Sequence, residues 1–372
     1  MREAALDPAG SGRARSVRAE PAARGGPPTS TSSIAAGGRT AIGVRYVSAA
    51  SFAASAPLAG EHVLAAVGYG DASSALRSPS AGALVVDSGL AALGDEPIVE
   101  VWTTPRRVAF ERRGDVDLAT DGEALIGSVA LECGPRDAIE PVTREAYARI
   151  LAVVAATGYH GICRVWNSVP RIHELDGAEE RYRLFCRARS EAFEGAYGVR
   201  FTRRLSASSA VGERTDRLVV WFLAARTAGT HWENPRQVSA YHYPRRYGPR
   251  SPTFARATTS PPSLGSLLFV SGTASIVGYE SRHAGDVLLQ LEETLRNLRV
   301  VIECATPFCD ELRSPLDRLA AIKVYLRDAS DEGMVRERLD RVFARELPCL
   351  VVRAEICRAE LAIEIEGVCG AD

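Results

Sequence analysis

Two stretches of this chain run through one order of secondary-structure elements, and that repetition constrains the fold more than any other feature. In the C-terminal stretch, Leu267 to Val270 reads as a strand, and apolar residues then recur at Leu288, Leu291, Leu295, Leu298 and Ile302. That spacing predicts an amphipathic helix. A strand-like run from Ile322 to Leu326 follows, then a helix carrying Val335, Leu339, Val342 and Phe343, then strands at Leu350 to Arg353 and Leu361 to Ile365. The N-terminal stretch has strands at Ile98 to Trp102 and Ala124 to Ala130 and a helix with Tyr147, Ile150, Leu151 and Val154. A strand at Ile162 to Trp166, a helix from Glu179 to Phe193 and a strand at Leu218 to Leu223 complete it. Each half therefore reads β-β-α-β-α-β-β, as expected of a duplicated α+β unit with its helices packed on one face of a mixed sheet.

The expected division is a disordered tail over 1–40, one unit over 41–230 and a second over 231–372. The tail is rich in Ala, Gly, Pro, Ser and Arg and lacks the apolar stretch of a secretory signal. Across 372 residues the formal net charge is −1, which argues against a nucleic-acid or membrane-surface partner. No run of roughly eighteen apolar residues offers a bilayer span. Eight cysteines and six histidines are scattered without metal-ligand spacing, so no metal is expected and a reducing cytoplasm fits best. No P-loop or dinucleotide fingerprint is present, and no cofactor is expected.

Of 45 basic residues, only Lys323 is a lysine. Coding bias explains most of that imbalance, yet it leaves carboxylate recognition to guanidinium forks. The last strand carries the other distinctive chemistry, in Ala362-Ile363-Glu364-Ile365-Glu366. Glu364 and Glu366 share a strand face. That face either meets solvent or holds a carboxyl at the junction of the two units, where burial would raise its pKa for acid–base work. The counterpart Val219-Val220-Trp221-Phe222-Leu223 has no acid.

Phe269-Val270-Ser271-Gly272-Thr273, Leu291 to Leu298, Ile322 to Tyr325 and Ile363 to Glu366 resemble the RidA/YjgF family, a chorismate mutase-like fold. Over a longer span the chain resembles the chorismatases. The matching segments are Cys163 to Ile172, Glu180 to Cys186, Asn234 to Tyr241, Tyr247 to Pro252, Ser271 to Gly278 and Glu355 to Leu361, in family order. Ser168 and Tyr279 stand where that family leads us to expect Tyr and His.

The resemblance implies a cofactor-independent enzyme that releases pyruvate from chorismate, with Glu364 as the catalytic carboxyl. The substrate's two carboxylates call for arginines, and Arg164, Arg250 and Arg256 are the candidates. Tyr241 and Tyr247 could donate to a carboxylate or hydroxyl, and Ala274 is a candidate pocket residue. Any one of these arginines could equally be a solvated surface charge. Cys357 is either a small buried hydrophobe or, as the resemblance implies, a residue that steers the intermediate toward 3-hydroxybenzoate rather than a dihydroxycyclohexadiene carboxylate. His283, near Asp286 at a helix start, reads as capping. A RidA-type enamine or imine hydrolase and a non-catalytic metabolite-binding protein are the alternatives, with a monomer or weak homo-oligomer expected.

Overall fold

The computed structural model describes residues 42–54, 60–72, 76, 82–94, 96–306, 314–343 and 346–370. The expected N-terminal tail lies outside them. The first region contains β1 (Gly43–Ser48), α1 (Ala49–Ala54), β2 (His62–Tyr69), β3 (Leu84–Asp87), β4 (Ala91–Ala92) and β5 (Ile98–Thr104). The second contains β6 (Ala109–Arg113), β7 (Val116–Thr120), β8 (Ala124–Glu132), α2 (Ile139–Thr157) and β9 (Gly161–Pro170). A short hairpin, β10 (Leu175–Asp176) and β11 (Glu179–Glu180), leads to α3 (Arg181–Tyr197), β12 (Ala207–Glu213) and β13 (Arg217–Ala225). The third opens with β14 (Thr230–Trp232), β15 (Ala257–Thr259), β16 (Leu268–Ala274) and the hairpin β17 (Ile276–Val277) and β18 (Glu280–Ser281). It closes with α4 (Val287–Ala305), β19 (Leu319–Leu326), α5 (Glu332–Val342), β20 (Cys349–Arg353) and β21 (Ile363–Cys369).

Strand order shows the duplication directly. The second region orders its strands β6-β7-β8-β13-β9-β12, and the third runs β14-β15-β16-β21-β19-β20, with β4 added at its edge. In both, the outermost core pair is parallel, β9 with β12 and β19 with β20. The fold is α+β with a repeated unit, as expected, but the main sheet of each of these two regions takes three strands from before its first long helix where the sequence pattern indicated two. The additional strands β7 and β15 are five and three residues long, too short for an alternation to stand out.

A further difference concerns Ile98–Thr104. Expected to open the N-terminal unit, it lies instead in a separate four-stranded sheet, ordered β1-β5-β2-β3. That order matches β16-β21-β19-β20, and β2 and β3 are likewise parallel. The first region is thus a shortened third copy of the same arrangement, without the leading hairpin.

Period-two alternation decides where each strand points its side chains. On β21, Ile363 and Ile365 enter the core beneath α4 and α5, with Val324 and Val351. Val220 and Phe222 do the same beneath α2 and α3. Leu291, Leu295, Leu298 and Ile302 form the buried stripe of α4, whereas Leu288 falls outside it and is exposed. Asp286 caps that helix by accepting from the Leu289 amide at 2.9 Å. The opposite faces of all three sheets meet in one central core that includes Trp102, Trp166, Trp221, Phe269 and Tyr325. Trp166 and Trp221 stack at 3.6 Å, and Trp102 meets both edge-on at 5.5 and 6.0 Å. Indoles bury about 150–250 Å² each, so at roughly 25 cal/mol per Å² each contributes about 4–6 kcal/mol before entropy is counted. Among the described residues, no helix is long and apolar enough to cross a membrane.

Candidate active site

Glu364 and Glu366 both point to the inner side of β21, and both are buried, at 4% and 6% exposure. A solvent-facing strand is therefore excluded. Their surroundings differ. Glu364 borders a cavity of about 420 Å³ between the second and third units, a volume typical of small-molecule sites. Glu366 lies behind it, held by Arg164, Ser209, Trp166, Lys323 and Tyr325.

The two pKa values separate accordingly. Burial, then the charge of Glu366, pushes the Glu364 carboxyl up to about 8, against the opposing pull of Arg164 and Arg256. Burial would also raise Glu366, but Lys323, Arg164 and the donors Ser209 and Trp166 outweigh it and bring it down to about 2. At neutral pH the pair holds one proton, on the member that faces the cavity. The Glu364 carboxyl fits because residue 272 has no side chain. A Cβ there would stand 1.9 Å from Glu364 Oε1. Gly272 also sits where the β16–β21 register slips by one residue, between Val270 and Thr273.

The second unit supplies one wall from α3 and β12: Tyr182, Phe185, Cys186, Arg189, Ser208 and Ser209. The segment before β15 covers the cavity with Tyr243, Tyr247, Phe254 and Arg256, and Ala274, Cys357 and Arg358 complete it from the third unit. Arg256 donates to Val238 O at 3.0 Å and to the Tyr243 hydroxyl at 2.8 Å, and its Nε has no partner. Arg189 donates to Ser208 Oγ at 3.1 Å, lies against the Tyr147 and Phe193 rings, and also leaves Nε unpaired. Arg358 lies over the Tyr247 ring at 4.1 Å and donates to Tyr279 O and Ser281 Oγ. Among the described residues none of these three guanidiniums has a carboxylate within salt-bridge distance. Arg189 and Arg256 are buried, and a buried guanidinium without a carboxylate is a charge left uncompensated.

Cys357 presents a neutral thiol, pushed up to about 12 by burial and by Glu364. It is therefore a small wall group, not a thiolate nucleophile.

Of the residues expected from sequence, Glu364, Cys357, Arg256, Tyr247 and Ala274 meet at this cavity. Three others lie elsewhere. Arg164 does not line the cavity: it is buried against Glu366, its Nη2 donating to that carboxylate at 2.7 Å and to Ser209 Oγ, while its Nη1 has no partner. Arg250 is at the surface, paired with Glu194 at 2.9 Å. Tyr241 packs on the second unit's core and edge-on to His242. Ser168, one of the two departures from the family pattern, is paired with Val211 and Val219 within the sheet. Arg189, Arg358 and Tyr243 were missed. Arg189 had a legible signal, since it occupies the buried α3 stripe with Phe185 and Phe193. A charge at a core position of a helix is a site indicator.

The family model described as chorismatase FkbO/Hyg5-like, N-terminal, matches residues 100–224. A 3-hydroxybenzoate synthase of Streptomyces hygroscopicus is 38% identical over 282 residues, 73% of this chain and 82% of the relative. A chorismatase of Streptomyces rapamycinicus is 35% identical over 281 residues, 74% of this chain and 83% of that protein. A chorismatase crystal structure superposes with a TM-score of 0.76 at 30% identity, covering 89% of this chain and 99% of that one. With a duplicated fold and one buried acid facing an arginine-lined cavity, the chain belongs to the chorismatase family of enzymes.

Proposed function

We propose that the chain converts chorismate to pyruvate and 3-hydroxybenzoate, with Glu364 as the acid. The observation that carries this is the buried Glu364 carboxyl, its pKa raised by burial and by Glu366, at a cavity where the buried Arg189 and Arg256 lack carboxylate partners. Chorismate brings two carboxylates, and Arg256 with Arg189 or Arg358 offers complementary forks.

The reaction begins when Glu364 delivers its proton to the terminal methylene carbon of the enolpyruvyl group. The double-bond electron pair forms the new C–H bond, and the ether oxygen supports the resulting oxocarbenium ion. Protonation at carbon is slow, and a fixed, desolvated acid is suited to it. A hydroxyl, from water or from the substrate ring, adds to the cation, and its proton returns to Glu364. When water adds, the bond between that carbon and the ring oxygen then breaks, the added hydroxyl's remaining proton passes to the ring oxygen, and pyruvate leaves. When the ring hydroxyl adds, its own ring C–O bond breaks, its oxygen leaves with pyruvate, and loss of a ring proton makes the ring aromatic. Water capture yields a dihydroxycyclohexadiene carboxylate, whereas formation of a hydroxybenzoate consumes no net water.

The aromatic product is favoured by the similarity to a 3-hydroxybenzoate synthase and by Cys357 in the cavity wall. Purified protein incubated with chorismate should release pyruvate, with 3-hydroxybenzoate identified by chromatography and mass spectrometry. Absence of pyruvate from folded protein would overturn the reading, and a dihydrodiol product would overturn the aromatic assignment.

A further inference from the structure

Behind the acid, on the side away from the cavity, lies a buried charge network joining all three units. Lys323 on β19 places Nζ 2.7 Å from Glu100 Oε2 and 3.1 Å from Glu366 Oε1. Glu100 on β5 also accepts from the Tyr69 hydroxyl at 2.7 Å and Trp102 Nε1 at 3.1 Å. Glu366 accepts from Arg164 Nη2 on β9 at 2.7 Å, Ser209 Oγ at 2.6 Å, Trp166 Nε1 at 2.8 Å and the Tyr325 hydroxyl at 2.9 Å. Two carboxylates thus face two cations, and none of the four is more than 6% exposed. Lys323 is also the chain's single lysine.

Buried ion clusters are poor stabilisers, because desolvation offsets most of the Coulomb gain. What this one supplies is a fixed charge count. With Glu100 and Glu366 ionised against Lys323 and Arg164, the cluster is neutral, and ionising Glu364 beside it would leave an uncompensated buried anion. We infer that Lys323 and Glu100 are positioning residues, which fix the Glu366 carboxylate behind Glu364 and so keep Glu364 in its acid form. The inference rests on Glu364 being the acid of the proposed reaction. The shortened first unit then takes part through Glu100, although none of its described residues lines the cavity. The same imbalance returns the proton to Glu364 after each turnover.

Glu366 raises the pKa of Glu364, and Arg164 and Arg256 lower it. The cavity that Glu364 faces is also lined by Arg183, Arg189, Arg246, Glu180 and Glu360. Cys357 and Arg358 face the same cavity as neutral thiol and cation, and Tyr46, Tyr69 and Tyr325 stay as phenols through burial.

The test is the pH dependence of kcat for wild type, Glu366→Gln and Glu100→Gln with chorismate. Wild type should lose activity with a basic limb near pH 8, where Glu364 ionises. Removing either anion leaves the cluster positive, so the limb should move to lower pH, by about one unit or more for Glu366→Gln and less for Glu100→Gln. One unit makes activity above the limb about tenfold lower relative to its acidic plateau. A limb at the wild-type pH, with activity reduced uniformly, would overturn the inference. Infrared titration is a second readout that needs no substrate. A protonated-carboxyl carbonyl band that Glu364→Gln lacks should vanish near pH 8 in wild type, and lack of such a band at pH 7 also overturns the inference. Wild type that is inactive on chorismate but shows this band would refute the functional reading alone.

Discussion

Glu364 and Gly272 occupy one another's space, since the carboxyl oxygen of one stands where a side chain on the other would begin, 1.9 Å from an ideal Cβ. The acid reaches the cavity only because β16 has a glycine at its register slip.

Gly272→Ala should therefore displace the acid without opening the core. Misplacing a catalytic group by about 1 Å costs on the order of a hundredfold in rate, so kcat should fall by about that factor while the thermal midpoint changes little. Pyruvate release and a melting curve check both halves of the prediction.

The ionisation of Glu364 should also appear in stability. Its folded pKa is raised from 4.5 to about 8, so between those values the folded state holds a proton that the unfolded state has released. Stability then falls as pH rises across that window. Each unit corresponds to about 1.36 kcal/mol, giving roughly 3–5 kcal/mol in all. Glu364→Gln should lack this slope, and urea midpoints at pH 5 and pH 9 for both proteins would show it.

The paired strands and the helical stripe of α4 were legible in the sequence because each repeats at a strict period. The strand pattern alone left Glu364 as either a solvent-facing or a buried carboxyl, and the family resemblance singled it out. The first unit was not legible. Its strands are short or rich in Ala and Gly, as in Ala65-Ala66-Val67-Gly68, and only topology shows that β1-β5-β2-β3 repeats the later order. Nor could spacing assign the arginines. Arg164 meets Glu366 across 202 positions of sequence, and nothing local distinguishes its guanidinium from that of Arg256. Arg250, between two prolines and near a tyrosine, had a promising context but ends at the surface on Glu194.

Arg256→Gln tests whether this guanidinium, whose Nε has no partner, binds the substrate. Loss of a charged hydrogen-bonding partner costs about 1.5–3 kcal/mol, so kcat/KM for chorismate should drop by roughly ten- to a hundredfold, chiefly through KM. Steady-state kinetics on folded variant would decide it, and an unchanged KM would place the carboxylate on another arginine.

Cys357→Ala should keep pyruvate release near the wild-type rate, because the neutral thiol donates nothing to the first proton transfer. The product should shift from hydroxybenzoate toward the dihydrodiol. Chromatographic product ratios at equal chorismate conversion measure this directly.

The central claim is that one carboxyl performs the chemistry, and the most direct test compares pyruvate release from chorismate by wild type and Glu364→Gln at pH 7. The account predicts steady release by wild type and a loss of about a thousandfold or more in the variant, since removal of a general acid typically costs about 10²–10⁴, with chorismate still bound. A folded Glu364→Gln protein that turns over chorismate near the wild-type rate would contradict it.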